Sequence, residues 1–248
     1  MIEVKEINKT FFGKQILTDI NCAFVQGKTN LLIGASGTGK TVLLKVIVGL
    51  IRPDTGHVLY DQREFTQGDI SIKTEIRREV GMLFQNSALF DSKNVEENIM
   101  FPLDVLGNMS KSEKLDRANF CLNRVGLEGT NKKMPSELSG GMKKRVGIAR
   151  AIVMNPKYLF CDEPNSGLDP QTSVRIDNLI SEITHEYNTT TVVVTHDMNS
   201  VMGIGDLVMF MYKGKILWEG SNTEILDHDV QELKDFIFAN KFIKHANA

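Results

Sequence analysis

The sequence predicts an α/β fold with a helical segment inserted among its strands. Residues 29–34, "TNLLIG", form a short apolar run that ends at a glycine, and residues 41–51 continue as an apolar stretch of helical length. Three later β-rich runs, residues 79–85, 157–163 and 189–197, have polar residues at both ends. Apolar strands that alternate with helices are typical of a mostly parallel sheet with both faces covered.

The remaining elements complete this arrangement. "PDTG" predicts a turn before the strand-like "HVLYD", and residues 207–220 predict a hairpin that turns at Lys213-Gly214. Between Asn86 and about Pro156 helical patterns dominate and strand patterns disappear. We therefore predict three structural units. They are an α/β core (1–85 and 157–226), a helical subdomain (86–156) and a C-terminal helical tail (227–248).

Composition narrows the class of protein. The 248 residues include 29 basic and 31 acidic side chains, a net charge of -2, so we expect no nucleic-acid partner. Cys22, Cys121 and Cys161 fit no metal-ligand spacing, and we expect buried free thiols. We expect no secretion signal in "MIEVKEINK", and no apolar run approaches the roughly 18 residues that span a bilayer. Work at a membrane would need a partner subunit.

The stretch "GASGTGKT", residues 34–41, fits the phosphate-binding pattern G-x-x-x-x-G-K-[ST] between a predicted strand and helix. Its glycines let backbone N–H groups converge on phosphate oxygens without an obstructing Cβ. We expect Lys40 to reach the β- and γ-phosphates and the Thr41 hydroxyl to bind Mg²⁺. This P-loop predicts a nucleotide site rather than a coincidental glycine-rich turn. Its residues are Gly34, Ala35, Ser36, Gly37, Thr38, Gly39, Lys40 and Thr41.

Polar residues at the ends of the later strands complete the predicted site. Asp162 follows the apolar run "YLFC" and can hold the metal, whereas Glu163 points elsewhere and suits a general base. Gln85 can bind Mg²⁺ or orient water, and His196 can hydrogen-bond a γ-phosphate. Each of these residues alone is more often structural. Strand ends that meet at one edge of a sheet make a shared role credible.

A second phosphate cradle is predicted at "LSGGM", residues 138–142, which we call the signature segment. No strand precedes it, but the Ser139 hydroxyl and free N–H groups of Gly140 and Gly141 stand at the start of a helix. Lys143, Lys144 and Arg145 make the neighbourhood positive. The alternative is an ordinary capped amphipathic helix.

These motifs together resemble the ABC ATPase family, in the family's order and over nearly the whole chain. The segment "SGLDP", residues 166–170, matches the family's D-loop, and Phe11 matches the aromatic residue that stacks on adenine. The resemblance implies a RecA-like P-loop NTPase core with an antiparallel β subdomain, ATP and Mg²⁺ as cofactors, and ATP hydrolysis. The implied catalytic residues are Glu163, His196 and Gln85, the metal ligands are Thr41, Gln85 and Asp162, and the ATP contacts beyond the P-loop are Phe11, Ser139, Gly140, Gly141 and Asp169.

The resemblance also explains why one chain has two phosphate cradles. In the family, two domains pair head to tail, and the signature segment of each closes over the ATP of the other, which implies a C2 homodimer. Met142 stands where the family usually has Gln. Ser139, Gly140 and Gly141 still offer the phosphate contacts, so we expect catalysis to survive this departure.

Finer details favour one transport class. "PSELSGGMKKR" and residues 84–103 are most like the ATPases of bacterial Mla-type systems, which move phospholipids between inner and outer membranes. That likeness implies an MlaE-like permease, an MCE-type lipid-binding protein, in some systems a STAS-domain regulator, and a place at the cytoplasmic face of the inner membrane. Two alternatives stay open: an ABC importer or exporter with another cargo, and a non-transport ABC protein acting on ribosomes or DNA.

Two apolar sets predict contacts outside the nucleotide site. Val230, Leu233, Phe236 and Ile237 recur at helical spacing, and this stripe would either dock on a partner or pack against the chain's own core. The second set follows Gln85, where the family receives a helix of the permease. At least part of this second set is predicted to form a permease groove; its members are Phe90, Phe101, Pro102 and Leu103.

Overall fold

The computed structural model describes the backbone of residues 1–246 and the side chains of residues 1–239. The chain folds into two sheets flanked by helices. The strands are β1 (Ile2–Phe11), β2 (Lys14–Phe24), β3 (Thr29–Ile33), β4 (Thr55–Tyr60), β5 (Arg63–Glu64), β6 (Val80–Leu83), β7 (Tyr158–Asp162), β8 (Thr190–Thr195), β9 (Leu207–Tyr212) and β10 (Lys215–Gly220). The helices are α1 (Lys40–Ile47), α2 (Ile70–Arg78), α3 (Val95–Leu106), α4 (Lys111–Arg124), α5 (Gly140–Ile152), α6 (Pro170–Tyr187), α7 (Met198–Ile204) and α8 (Gln231–Ala246).

The larger sheet has six strands in the order β10-β9-β3-β8-β7-β6. Neighbours from β9 to β6 run parallel, and β10 returns antiparallel as the predicted hairpin. Every residue of β3, β7 and β8 is buried, because helices or the smaller sheet cover both faces. The four strands predicted from apolar runs in the core, namely β3, β6, β7 and β8, are therefore confirmed as one parallel group.

The smaller sheet, β2-β1-β4-β5, is antiparallel. Residue patterns did not predict β1 and β2, although the family resemblance implied an antiparallel subdomain. The strands are irregular: the pairing of β1 with β2 shifts register after Val4 and Ile7, and Glu6 and Asp19 have positive φ. Such bulges interrupt the alternation of inward and outward side chains, which is the main signal for a strand in a sequence.

Alternate residues of the larger sheet enter two separate hydrophobic cores. Leu31 and Ile33 of β3 face one core, which includes side chains of α3 to α6 and α8. Leu32 faces the other core, between the sheet, α1 and the smaller sheet. This period of two holds each strand between two layers, so its register is strongly specified.

The helical segment between β6 and β7 contains α3, α4 and α5, and no strand is assigned within residues 86–156. Its helices have explicit start signals. Asn94 with Glu97 and Ser110 with Glu113 form capping boxes at α3 and α4. Local side-chain chemistry thus explains why these patterns were recognisable in the sequence. The boundaries predicted for the core and the helical subdomain remain predictions.

The first helix is shorter than predicted. It ends at Ile47 rather than Ile51, and Gly49 follows with φ of +77°. A Cβ at Gly49 would lie 2.7 Å from the Phe65 ring, so the chain turns where only glycine fits. Beyond Ile47, Val48 is buried but Leu50 is exposed, so the apolar run in the sequence extends past both the helix and its buried face.

The C-terminal helix packs against the chain's own core. Leu233 is fully buried and Ile237 nearly so, and the Phe236 ring lies 5.5 Å from that of Phe210. The apolar stripe of the tail therefore has an intramolecular partner, which favours the second of its two predicted explanations. Residues 247 and 248 of the predicted tail lie outside the described residues.

The structure also bears on the predictions for the cysteines and for a membrane-spanning segment. Cys121 and Cys161 are buried free thiols, whereas Cys22 is a free thiol that is only half-buried. Within the described part of the chain, no helix combines the length and apolarity needed to cross a membrane.

Candidate nucleotide site

The parallel strands bring four loops to one edge of the larger sheet. Ile33 pairs with Thr195, Asp162 with Val194, and Leu83 with Cys161, so β3, β8, β7 and β6 end nearly level. The residues after these ends are the P-loop, His196, Asp162 with Glu163, and Gln85. The carboxyl edge of a parallel sheet is where α/β proteins bind ligands.

The P-loop curls tightly between β3 and α1. Gly34, Gly37 and Gly39 all have positive φ. A Cβ at Gly34 would lie 2.3 Å from the Met211 carbonyl oxygen, so no larger residue fits there. Lys40 is the first residue of α1, and its Nζ donates to the carbonyls of Gly34 and Ala35 at 2.8 Å each. These features form the loop that a phosphate group requires at a helix start.

Burial and two nearby carboxylates act in opposite directions on the pKa of Lys40. Desolvation lowers the pKa of Lys40, and the carboxylates of Glu163 and Asp162 oppose that effect. The ammonium and the two carboxylates therefore lie in one electrostatic neighbourhood, although they come from different strands. That arrangement suits the binding of an anion together with a divalent cation.

The residues predicted to hold Mg²⁺ are joined directly. Thr41 Oγ1 donates to Asp162 Oδ1 at 3.2 Å, and Asp162 is 4% exposed. Burial raises the pKa of Asp162, and the Thr41 hydrogen bond opposes the rise. A hydroxyl and one carboxylate fit Mg²⁺, because this ion takes oxygen ligands and fills its remaining positions with water and phosphate oxygens. When bound, it would neutralise charge developing on the transferred phosphoryl group.

The three residues predicted to be catalytic form a cluster. Gln85 Nε2 donates to Glu163 Oε2 at 2.9 Å, and His196 Nδ1 lies 3.3 Å from Glu163 Oε1. Glu163 has φ of +45°, which is uncommon for a residue with a side chain, and its N–H donates to the Val194 carbonyl. The Glu163 side chain is thus hydrogen-bonded to Gln85, whereas that of Asp162 is hydrogen-bonded to Thr41, and the role of Glu163 as base remains a prediction. Gln85 contacts Glu163 rather than Asp162, so its predicted role as metal ligand remains a prediction.

The signature segment starts α5 as predicted. Ser139 is the N-cap, and its Oγ accepts a hydrogen bond from Met142 N at 3.3 Å. A Cβ at Gly141 would lie 2.6 Å from Thr172 Cγ2. Asp169 caps α6 and accepts from the same Thr172, so it lies beside the signature segment. The groove that contains Ser139, Gly140, Gly141 and Asp169 includes no residue of the P-loop.

Phe11 ends β1 with its ring 37% exposed and the Lys9 ammonium 5.2 Å from the ring centroid. An exposed ring is suited to stacking. No contact described here joins Phe11 to the P-loop, so its contact with adenine remains a prediction.

One of the three basic residues after the signature segment, Lys144, differs from its predicted role. Lys144 is buried and donates to the carbonyls of Gln85 and Glu163, and Arg145 donates to the carbonyls of Val125 and Gly126. The Lys144 side chain therefore folds into the protein, whereas Arg145 lines the groove that contains Ser139, Gly140 and Gly141, so its charge stays beside the signature segment. The sequence context of Lys144 gave no sign of this, because a lysine on a helix is usually exposed.

Comparison with known proteins decides the family. The ABC transporter family model matches residues 17–166. This chain belongs to that family. A probable ribonucleotide transport ATP-binding protein of Mycobacterium leprae is 37% identical over 236 residues, 95% of this chain and 68% of that protein. The methionine import ATP-binding protein of Bacillus subtilis is 39% identical over 237 residues, 94% of this chain and 69% of that protein. The chain thus spans about two thirds of their length.

Solved structures confirm the P-loop ATPase fold. A dimeric ATP-binding cassette in a post-hydrolysis state with ADP and Pi superposes with a TM-score of 0.82 at 33% identity, covering 90% of this chain and 99% of that one. A component of a Clostridium perfringens ABC transporter complex gives 0.83 at 29% identity, covering 99% and 97%. The chain is an ATPase of this family, with ATP and Mg²⁺ as its cofactors.

Proposed function

We propose that this chain is the ATP-hydrolysing subunit of a membrane transporter and works as a homodimer bound to a permease. One observation carries the assignment: Glu163 lies at hydrogen-bond distance from both Gln85 and His196, at the sheet edge that also holds the P-loop. A carboxylate held between an amide and an imidazole, next to a phosphate cradle, is suited to polarising an attacking water.

Each residue of the site has a distinct proposed task. Lys40 and the P-loop N–H groups bind the β- and γ-phosphates, and Thr41 with Asp162 holds Mg²⁺. Glu163 accepts the proton of the attacking water, Gln85 orients that water, and His196 contacts the γ-phosphate. Gln85 and His196 also fix the two carboxylate oxygens of Glu163, so the base is oriented before substrate binds.

Substitution of Glu163 tests the role of the base. Glu163→Gln keeps the size of the side chain and the phosphate contacts, so affinity for Mg–ATP should stay within about threefold, whereas turnover should fall about 100-fold or more. Lys40→Ala is the contrasting variant, because it should lose affinity first. Titration calorimetry and phosphate release measure the two quantities. Turnover of Glu163→Gln near that of the parent would exclude Glu163 as the base.

The separation of the two cradles supports the homodimer. The P-loop lies at the end of β3 and the signature segment at the start of α5, and the groove that the signature segment lines contains no P-loop residue. A C2 pair brings each signature segment to the partner's ATP. Ser139→Arg should therefore allow ATP binding and prevent dimer closure.

A mixture of variants tests this sharing. In a heterodimer of Ser139→Arg with Lys40→Ala, one site carries both lesions and the other carries neither, so ATPase activity should reappear on mixing. Ser110→Arg, which changes another N-cap serine, is the matched control and should hydrolyse ATP without a partner variant. No recovery despite heterodimers detected by cross-linking would contradict sharing.

The permease is proposed to contact the segment that follows Gln85. The Phe90 ring is 39% exposed and lies 4.7 Å from that of Phe101. Asn98 is buried and ties this segment together, because it accepts from Phe90 N and donates to Phe90 O. Leu103 is 2% exposed and belongs to the core instead, so it is removed from the predicted groove. Phe90, Phe101 and Pro102 remain as the surface for a short permease helix.

Phospholipid is the cargo that we propose, with an MlaE-like permease, an MCE-type protein and a STAS-domain regulator as partners at the cytoplasmic face of the inner membrane. The likeness of residues 84–103 and 135–145 to Mla-type ATPases supports this. The names of the relatives, which concern ribonucleotide transport and methionine import, support an importer of another cargo as the second candidate. Co-purification with an MlaE-like permease and ATP-dependent movement of labelled phospholipid between vesicles would support the first; uptake of methionine instead would support the second.

A further inference from the structure

One buried lysine connects the two halves of the catalytic cluster. Lys144 lies just over one turn into α5 and is 4% exposed. Its Nζ donates to the backbone carbonyl of Gln85 and, at 3.2 Å, to that of Glu163. These are the two residues whose side chains meet at 2.9 Å. The Lys144 ammonium therefore links the main chains of Gln85 and Glu163, the same two residues whose side chains are hydrogen-bonded to each other.

The position is costly for a charged group. Burial lowers the pKa of Lys144, with Glu163 and Asp162 acting in the opposite direction. In the part of the chain that the structure describes, no carboxylate lies within ion-pair distance of its Nζ. A desolvated ammonium satisfied by main-chain carbonyls adds little to stability, and an apolar side chain of similar size often serves a core as well. A contribution to stability therefore does not explain why a lysine is buried at position 144.

The surrounding contacts show what the lysine holds. Helix α5 lies close against β6 and the loop that follows, since a Cβ at Gly147 would lie 2.7 Å from Leu83 Cδ1. Farther along the helix, Arg150 donates to the carbonyls of Ser87 and Ala88, at 2.5 and 2.7 Å. Basic side chains of α5 thus bind the loop on both sides of the turn that starts at Gln85.

The loop needs such support because its backbone conformation is uncommon. Ser87 and Ala88 have φ of +59° and +46°, and Glu163 has +45°. Residues with side chains occupy this region only when their surroundings hold them there. Donors that bind the carbonyls of these residues provide that restraint directly.

We propose that Lys144 is a positioning residue for hydrolysis, which holds the main chain of Gln85 and Glu163 so that the water-orienting amide and the base keep their mutual geometry. The proposal rests on the proposed function, because it needs Glu163 to be the base. In the proposed dimer, helix α5 would then serve both ATP sites. Ser139 starts the same helix, so α5 would carry the contact to the partner's ATP at one end and the support of its own base about 7.5 Å farther along.

Lys144→Met tests the proposal, because it removes the charge and the donors but keeps the length of the side chain. We expect kcat to fall about 10- to 100-fold while the KM for ATP changes less than about threefold, since no phosphate contact is altered. Lys111→Met, an exposed lysine at the start of α4, is the matched control and should keep both constants. Lys144→Gln retains an amide N–H donor group and should recover part of kcat. It replaces the methionine variant in the test if that variant does not fold.

A double-mutant cycle separates positioning from a general loss of structure. If Lys144 acts through Glu163, its substitution should cost less than about threefold in single-turnover hydrolysis when Glu163→Gln is already present. The proposal would be overturned if the Lys144 substitution lowered the hydrolysis rate equally in the parent and in Glu163→Gln. It would also be overturned if the KM for ATP rose as kcat fell. Failure of the proposed function would give a different result, because Glu163→Gln by itself would then hydrolyse ATP at nearly the rate of the parent.

Discussion

Truncation of Leu233 measures how firmly the C-terminal helix belongs to the core. The side chain is fully buried on the inner face of α8. Leu→Ala removes three carbon atoms at about 0.8 kcal/mol each, or about 2.4 kcal/mol of transfer free energy. A partly retained cavity adds to this, and buried Leu→Ala changes cost about 2–5 kcal/mol in all. We expect Leu233→Ala to lower the free energy of unfolding by about 3 kcal/mol.

The single tryptophan provides the assay. Trp218 of β10 packs against the same core, and its ring lies 5.8 Å from that of His228, which is close to the start of α8. Urea unfolding followed by its fluorescence gives the free energy, and the melting temperature should fall by about 6–12 °C. Leu226→Ala is the matched control, because that side chain is 58% exposed and should cost less than about 0.5 kcal/mol. Equal small losses in both variants would refute the packing of α8 against this core.

Two further predictions concern pH and the permease. Burial raises the pKa of Asp177 from 3.8 to about 6, where it accepts hydrogen bonds from Asn165 and Ser200. The folded protein binds this proton more tightly than the unfolded chain, so the free energy of unfolding should fall by up to about 3 kcal/mol as pH rises from about 4 to 6. Asp177→Asn should flatten that slope in urea titrations at several pH values, and an unchanged slope would contradict the assignment. Phe90→Asp should abolish permease co-purification and keep Mg–ATP affinity within about twofold; a folded variant that still binds the permease would place the docking surface elsewhere.

Local sequence was sufficient for the elements that carry the chemistry. The P-loop needs glycines, a lysine and a threonine in fixed order, because its backbone takes positive φ at Gly34, Gly37 and Gly39. Buried strands such as β7 and β8 are continuous apolar runs, which are visible without knowledge of their neighbours. The caps of α3 and α4 are likewise made by residues three positions apart.

Only the tertiary structure showed which residues that are distant in the sequence contact each other. Local patterns did not predict the irregular strands β1 and β2, because their bulges break the period of two and their pairing partners lie in other segments. The stripe on α8 had two equal explanations until Phe236 was placed beside Phe210. Lys144 was an ordinary helical lysine in the sequence, since the carbonyls that it binds come from residues 59 and 19 positions away. Side-chain periodicity specifies which face is buried, but the identity of the covering surface depends on how distant segments pack, and that information lies in the folded chain.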